Sequence, residues 1–253
     1  MHRFFVSKEF IDKDKINISG DDVNHILKVL RLKNGEKIIV CDRVKTEYLC
    51  SILSIDKKSI ICNIIESKSN ISEPPIIVDL FQGIPKSTKM DLIVQKCTEL
   101  GINSIIPVDT QRTIIKTGYD KDSSNKLVRY QRIAEEAAKQ SSRGHIPDIF
   151  EPISFERALK KMVDYDMVVM PYENELHTGL KQTLKGKNNI NKIAIIIGPE
   201  GGFTEQEVAM ARDNGAATVT LGPRILRTET AGFMCLSIIM YELGDTGGKL
   251  WQE

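Results

Sequence analysis

The segment KIAIIIGP (192–199) holds five consecutive apolar residues, Ile193 to Ile197, with no polar position among them. A strand with one wet face alternates apolar and polar side chains, so an unbroken run of this kind requires burial on both faces. Such strands belong to parallel sheets covered by helices. YDMVVMP (165–171) and ATVTLGP (217–223) have a similar character, and all three runs finish on Pro or Gly-Pro, at Pro171, Pro199 and Pro223. Proline fixes φ and donates no hydrogen bond, so each chain segment leaves the sheet early as a stiff loop.

The surrounding sequence has the matching rhythm. IIVDLFQG (76–83) and INSIIPV (102–108) read as strands, with the amphipathic helix STKMDLIVQKCTELG (87–101) between them, closed by Gly101. After a long polar stretch, 109–125, come helices at NKLVRYQRIAEEAAKQS (125–141), SFERALKKM (154–162), TEQEVAMARDNG (204–215) and TETAGFMCLSIIMYELG (228–244). Strand–helix alternation predicts an α/β domain with a mostly parallel sheet over 76–253. Residues 1–70 read differently. EKIIVCD (36–42), TEYLCSILSI (46–55) and SIICNIIES (59–67) are short strands. Before them, DDVNHILKVLRLKNG (21–35) places Val23, Ile26, Leu27 and Leu30 at helical spacing, with Gly35 as a stop. One helix and several short strands predict a small β-barrel, joined to the second domain by residues 71–75 within the polar, proline-ended segment SKSNISEPP (67–75).

Composition narrows the function classes. A net charge of +1 excludes a broad basic surface, so any nucleic-acid contact must come from local patches. Residues 1–72 are mildly positive, with 13 Lys/Arg against 10 Asp/Glu, whereas the remainder holds 22 against 24. The five cysteines form no CxxC pair and no Cys/His cluster at metal-ligand spacing, so buried reduced thiols and no metal are expected. MHRFFVSKEF lacks the apolar run of a signal peptide, and no apolar stretch approaches the ~18 residues of a membrane span. The expectation is a cytoplasmic protein.

Ligands of open α/β sheets bind beyond the carboxyl ends of strands. The loop GPEGG (198–202), between strand and helix, has the layout of a phosphate cradle, yet Glu200 sits in its middle and no Lys follows. Thr204 and Glu207 stand at capping-box spacing, so side chains satisfy the donors an anion would need. The loop suits a neutral or cationic ligand; Glu200 itself reads as ligand contact, loop brace or neither. The second loop, LGPRILRTETAG (221–232), carries Arg224 and Arg227 on the approach to a helix capped by Thr228, with Glu229 and the apolar pair Ile225 and Leu226. Apolar side chains can enclose an aromatic base while arginine reaches phosphate or orients a polar substrate.

GPEGG and LGPRILRTETA (221–231) resemble the signature motifs of the RsmE family of rRNA methyltransferases, within the SPOUT superfamily. RFF (3–5), HILKVLR (25–31), KSTKMD (86–91), QKCTELG (95–101) and AAKQSSR (137–143) extend the likeness, in the same order, over essentially the whole chain. The resemblance implies a PUA-like RNA-binding barrel followed by an α/β domain tied in a trefoil knot, working as a homodimer. It implies S-adenosyl-L-methionine as cofactor and, as reaction, methylation of N3 of one uridine near the 3′ end of 16S rRNA. A sulfonium cation carrying an adenine ring agrees with a loop that has apolar walls and no anion hole.

Carried onto this chain, the cofactor would be held by Met170 and Pro171 on the first loop, by Ile197, Gly198, Glu200, Gly201 and Gly202 on the second, and by Leu221, Gly222, Arg224, Ile225 and Leu226 on the third. Arg227 is the expected substrate-orienting or anion-stabilising group, with Glu229 as a possible base. Arg3, His25, Arg31, Lys86, Lys89 and Arg143 are the expected RNA-facing residues, with Arg112 and Lys116 in a polar stretch that reads as an RNA-ordered or a disordered loop. Cofactor motifs do not choose the acceptor, so a ribose 2′-hydroxyl or tRNA stays open. A non-catalytic RNA-binding knot protein is a further alternative, against which the intact loops argue.

Overall fold

A computed structural model describes residues 1–44, 46–86, 88–114, 121–187 and 189–247; Lys116 therefore lies outside the described residues. Its strands and helices, in chain order, are β1 (Arg3–Phe5), β2 (Lys15–Ser19), α1 (Asp21–Asn24), β3 (Lys37–Cys41), β4 (Thr46–Ile55), β5 (Ser59–Ser69), β6 (Ile77–Gly83), α2 (Lys89–Glu99), β7 (Ser104–Asp109), α3 (Lys121–Gln140), β8 (Asp148–Ile149), β9 (Ile153–Ser154), α4 (Phe155–Lys161), β10 (Met167–Pro171), α5 (Leu180–Leu184), β11 (Lys192–Ile197), α6 (Glu205–Asp213), β12 (Ala217–Val219) and α7 (Thr228–Glu242). They form two compact units, Met1–Glu73 with Ala138–Ile146, and Pro74–Ala137 with Pro147–Glu253.

The first unit is a five-stranded sheet in the order β1-β3-β4-β5-β2, antiparallel except where β1 runs parallel to β3. Alternation drives it. In β2, Ile16 and Ile18 point inward between exposed polar neighbours, and they join Phe4, Ile26, Ile38, Val40, Ile52 and Ile60 in one core. Register shifts at Leu49/Cys50 and Ile52/Ser54 between β4 and β5 mark bulges, which bend a strand and let a sheet curl. Three details differ from the sequence reading. β1 and β2 went unread because runs so short carry little pattern. The expected helix over 21–35 is a short α-turn that widens into a π-helical turn, His25–Leu30, and ends at Arg31 in the left-handed region (φ 53°) rather than at Gly35. Residues 67–69 continue β5 instead of opening a linker.

Residues 138–146, the end of α3 and the loop after it, cluster with the barrel. Glu73 explains the anchoring. Its Oε2 accepts from Arg143 Nη2 at 2.7 Å, and its Oε1 accepts from the backbone N–H groups of Gly144 and His145 at 2.8 and 3.0 Å. Lys139 adds an ion pair to Asp22 at 2.9 Å.

The second unit is a parallel sheet in the order β12-β10-β11-β6-β7-β8, with β9 paired to β7. Central β11, between β10 and β6, buries Ile193 through Ile197 completely or nearly so, as its unbroken apolar run requires. Helix α7 packs against α2 and against β11 and β6, and α6 packs against β12. The expected class, a mostly parallel α/β sheet preceded by a small curled β-sheet unit, is the one observed. All five cysteines are free and buried, with burial pushing Cys97 up to about 12.

Candidate functional site

Beyond the carboxyl ends of β10, β11 and β12 lies a cavity of about 850 Å³, lined by three loops: 171–173 with Leu176, 197–203, and 220–228. Volumes of this order are those of small-molecule sites. Lys89, from the first turn of α2, and Ala231, from α7, complete the wall.

The loops are held by close backbone approach and a few buried hydrogen bonds. A Cβ on Gly83, the last residue of β6, would stand 2.6 Å from the nitrogen of Pro199, so the GPEGG loop can cross the strand end only because that residue is glycine. Gly202 has φ +66° and closes the turn by donating to the Pro199 carbonyl at 2.9 Å. Helix α6 then starts with the predicted capping box. Thr204 Oγ1 accepts from the Glu207 N–H at 3.2 Å, and Glu207 Oε2 accepts from the Thr204 N–H at 2.8 Å. Glu207 Oε1 also accepts from the Gln111 N–H at 2.8 Å, which fastens the chain after β7 to the same helix start.

The cap expected at Thr228 is a correction. Arg227 holds the N-cap position without a side-chain cap, and Thr228 is already the first helical residue. Its hydroxyl donates to the Gly198 carbonyl at 2.6 Å and accepts from Gln82 Nε2 at 2.9 Å. Gln82 is fully buried, so this bridge ties β6, the GPEGG loop and the start of α7 into one polar joint inside the core.

Glu200 is a brace. Its carboxylate accepts from the Lys86 backbone N–H at 3.0 and 3.3 Å and from Lys89 Nζ at 2.9 Å, joining the GPEGG loop to the chain leading into α2. Burial alone would raise its pKa, but the hydrogen bonds from Lys89, its own backbone and Lys86 outweigh that and hold it below the usual carboxylate range. In return, the hydrogen bond to Glu200 holds the Lys89 ammonium above its ordinary value against a weaker opposing effect of desolvation. Glu229 Oε2 lies 3.6 Å from the same ammonium. Glu229 is buried beneath Lys89 and is not on the cavity wall.

Of the residues expected to hold the cofactor, Pro171, Ile197, Gly198, Glu200, Gly201, Gly202, Leu221, Gly222, Arg224, Ile225 and Leu226 all line this cavity, as does Arg227. Met170 does not. It is fully buried in the core with Phe81, Ala194 and Ile196, because successive side chains of a strand face opposite ways and that of Met170 faces the core. The residues expected to face RNA divide. Arg31, Lys86 and Arg112 are exposed, and Arg112 Nη1 donates to the Gly201 carbonyl at 2.8 Å. His25 is half-buried, edge-to-face with Phe4 at 6.4 Å. Lys89 points into the cavity. Arg3 and Arg143 are folded inward instead of outward: Arg3 pairs with Glu47 at 3.0 Å and donates to Cys41 Sγ, and Arg143 pairs with Glu73. Both are basic residues serving carboxylates of the first unit, Glu47 buried and Glu73 half-buried. Tyr172, Glu173, Leu176 and Thr220 line the cavity and had no sequence signal beyond following a strand end. Among the described residues no His, Cys, Asp and Glu side chains group as a metal site, and no helix is long and apolar enough to cross a membrane.

Comparison with known proteins gives concordant likenesses. A family model described as RNA methyltransferase domain matches residues 72–240, and one described as RNA methyltransferase PUA domain matches 18–65. Ribosomal RNA small subunit methyltransferase E of Bacillus subtilis is 36% identical over 249 residues, covering 96% of this chain and 97% of its own. The crystal structure of ribosomal RNA small subunit methyltransferase E from Neisseria gonorrhoeae bound to S-adenosyl methionine has a TM-score of 0.86 at 29% identity, covering 98% of this chain and 100% of its own. That of a methyltransferase from Legionella pneumophila in complex with the bound cofactor SAM has a TM-score of 0.84 at 27% identity, covering 96% and 98%.

Proposed function

The chain belongs to the RNA methyltransferase family that contains ribosomal RNA small subunit methyltransferase E, and from that premise we propose that it uses S-adenosyl-L-methionine to methylate N3 of one uridine near the 3′ end of 16S rRNA. The observation that carries the reading is the cavity itself. Three loops place glycine backbone at Gly198, Gly201, Gly202 and Gly222 beside apolar Ile197, Leu221, Ile225 and Leu226. Glycine lets a ligand reach backbone groups, and the apolar side chains suit a flat base. The helix start behind the GPEGG loop is self-capped, and the acid in the loop is tied to Lys89, so nothing there favours a phosphate. The residues present fit the cofactor.

When bound, the cofactor supplies an electrophilic methyl group. The chain's own task is to hold the acceptor in line with it and to deal with the N3 proton of uracil. Arg227 is exposed on the cavity wall at the N-cap of α7, and in this reading its guanidinium stabilises the uracil anion as that proton leaves. Glu229 is not positioned as the base: it is off the wall and lies against an ammonium. It positions Lys89 instead. Arg31, Lys86 and Arg112, all exposed, are the residues that contact RNA phosphate in this reading.

A second copy of the chain completes the site. From Ala231 to Met240 helix α7 has a single polar side chain, Ser237, yet Phe233, Met234 and Ile238 are only half-buried and Tyr241 is 62% exposed; Ile225, on the cavity rim, is 91% exposed. A helix without a polar face is normally covered on every side.

The decisive experiment is nucleoside mapping of small-subunit rRNA from cells with the gene deleted and then restored. The expected result is loss and return of 3-methyluridine at a single position. Unchanged rRNA, or a lost 2′-O-methyl group, would sink the N3 reading.

A further inference from the structure

The charged side chains around the cavity separate by whether they already have partners. Lys89 and Glu200 are paired with each other at 2.9 Å, and Glu229 lies behind them. Glu173 stands apart. It lines the cavity from the loop after β10, is exposed, and its carboxylate forms no hydrogen bond or ion pair among the described residues. Its position against the GPEGG loop is close: a Cβ on Gly202 would lie 2.8 Å from Glu173 Oε1, so the acid rests on the turn at a point that glycine leaves open. Arg224 and Arg227, on the third loop of the same cavity, are likewise without partners among the described residues. The cavity thus offers one uncompensated carboxylate, on the side of the first two loops, and two uncompensated guanidinium groups on the third.

Resting on the cofactor assignment above, we infer that Glu173 is a specificity residue that reads the positive charge of the methyl donor. S-adenosyl-L-methionine and its product, S-adenosyl-L-homocysteine, share adenine, ribose and amino-acid ends, so apolar walls and backbone groups bind them alike. They differ in the methyl group and in the sulfonium charge, which gives the donor one net positive charge and leaves the product neutral overall. Arg224 and Arg227 repel that charge. Glu173 is the free group that attracts it, and opposite charges in contact attract even at an exposed position. The attraction vanishes once the methyl group has left, so the same carboxylate that holds the donor does not hold the product, which favours release.

The test is titration calorimetry of the full chain with each ligand, for wild type and E173Q. Glutamine keeps the size and removes the charge. The expected outcome is about tenfold weaker binding of S-adenosyl-L-methionine with less than about twofold change for S-adenosyl-L-homocysteine, and an unchanged melting temperature. Equal weakening of both ligands would overturn the inference, because it would make Glu173 a shape contact. Unchanged affinities with a pH–rate profile that loses its acidic limb would also overturn it, in favour of a proton-transfer role. Wild-type protein that bound neither ligand would remove the cofactor assignment itself, and this inference with it.

Discussion

At the scale of single residues, the most informative side chain is Glu200, whose sequence position looks like an obstacle in a phosphate loop. Its carboxylate is consumed by two donors from the 86–89 segment, the Lys86 N–H and Lys89 Nζ. Because its folded pKa is depressed, the stabilisation it gives is present above the unfolded carboxylate value and is lost as pH falls through the folded one. Cofactor affinity measured from neutral to acidic pH should therefore fall at the acid end in wild type. In E200Q the fall should be smaller, keeping only the part that Glu173 contributes, and at neutral pH affinity should be about tenfold weaker, since a hydrogen-bonded charge has been removed. A wild-type-like pH dependence in E200Q would show that the brace does not matter to the cofactor. Gly201 gives a complementary prediction. A side chain there meets Arg112 Cβ at 3.1 Å, close enough to shift a glycine that lines the cavity. Gly201→Val should abolish cofactor binding with little change in melting temperature, whereas normal affinity by calorimetry would refute the assignment.

At the scale of elements, two helix starts in one cavity obey different rules. Helix α6 is capped by a residue three positions from its partner, Thr204 with Glu207, and the pattern was legible because it is local. Helix α7 looked similar in sequence, but Thr228 bonds Gln82, 146 positions away, and Gly198, 30 away. No spacing rule reveals such a partner; it exists only once the loops are stacked. The same contrast explains the rest. The β11 run announced a doubly buried strand through composition alone, and the three proline-ended strand ends announced the cavity. The π-helical turn at His25–Leu30, the inward pairing of Arg3 and Arg143, and Glu173 resting on Gly202 all depend on distant neighbours. The two threonines can be separated by unfolding measurements. Thr204→Ala should cost about 1 kcal/mol, an ordinary capping loss. Thr228→Val should cost about 1–3 kcal/mol by leaving Gln82 Nε2 and the Gly198 carbonyl short of a buried partner, while Thr228→Ser keeps most of the stability. Equal effects of Val and Ser at position 228 would mean that the hydroxyl bridge contributes nothing.

At the scale of the whole molecule, a chain of net charge +1, with 35 Lys/Arg against 34 Asp/Glu, binds RNA only if its outward cations are grouped, so the basic residues must be sorted by what they serve. Arg31 and Lys86 are exposed, whereas the Arg143 side chain is 4% exposed and locked to Glu73. RNA binding measured across a salt series distinguishes the two roles, because each phosphate contact to single-stranded RNA contributes about 0.7 to the slope of log affinity against log salt. Arg31→Ala and Lys86→Ala should each flatten that slope by about this amount and leave the melting temperature where it was. Arg143→Ala should do the reverse. It leaves the half-buried Glu73 carboxylate only the Gly144 and His145 N–H groups and loosens the 138–146 segment from the barrel, at a cost of about 1–3 kcal/mol in unfolding free energy. Its salt slope should match wild type under conditions where the protein stays folded. An Arg143→Ala protein of full stability with a flattened slope would mean that this arginine turns outward when RNA is present, and that the barrel's inward pairing is a state the ligand replaces.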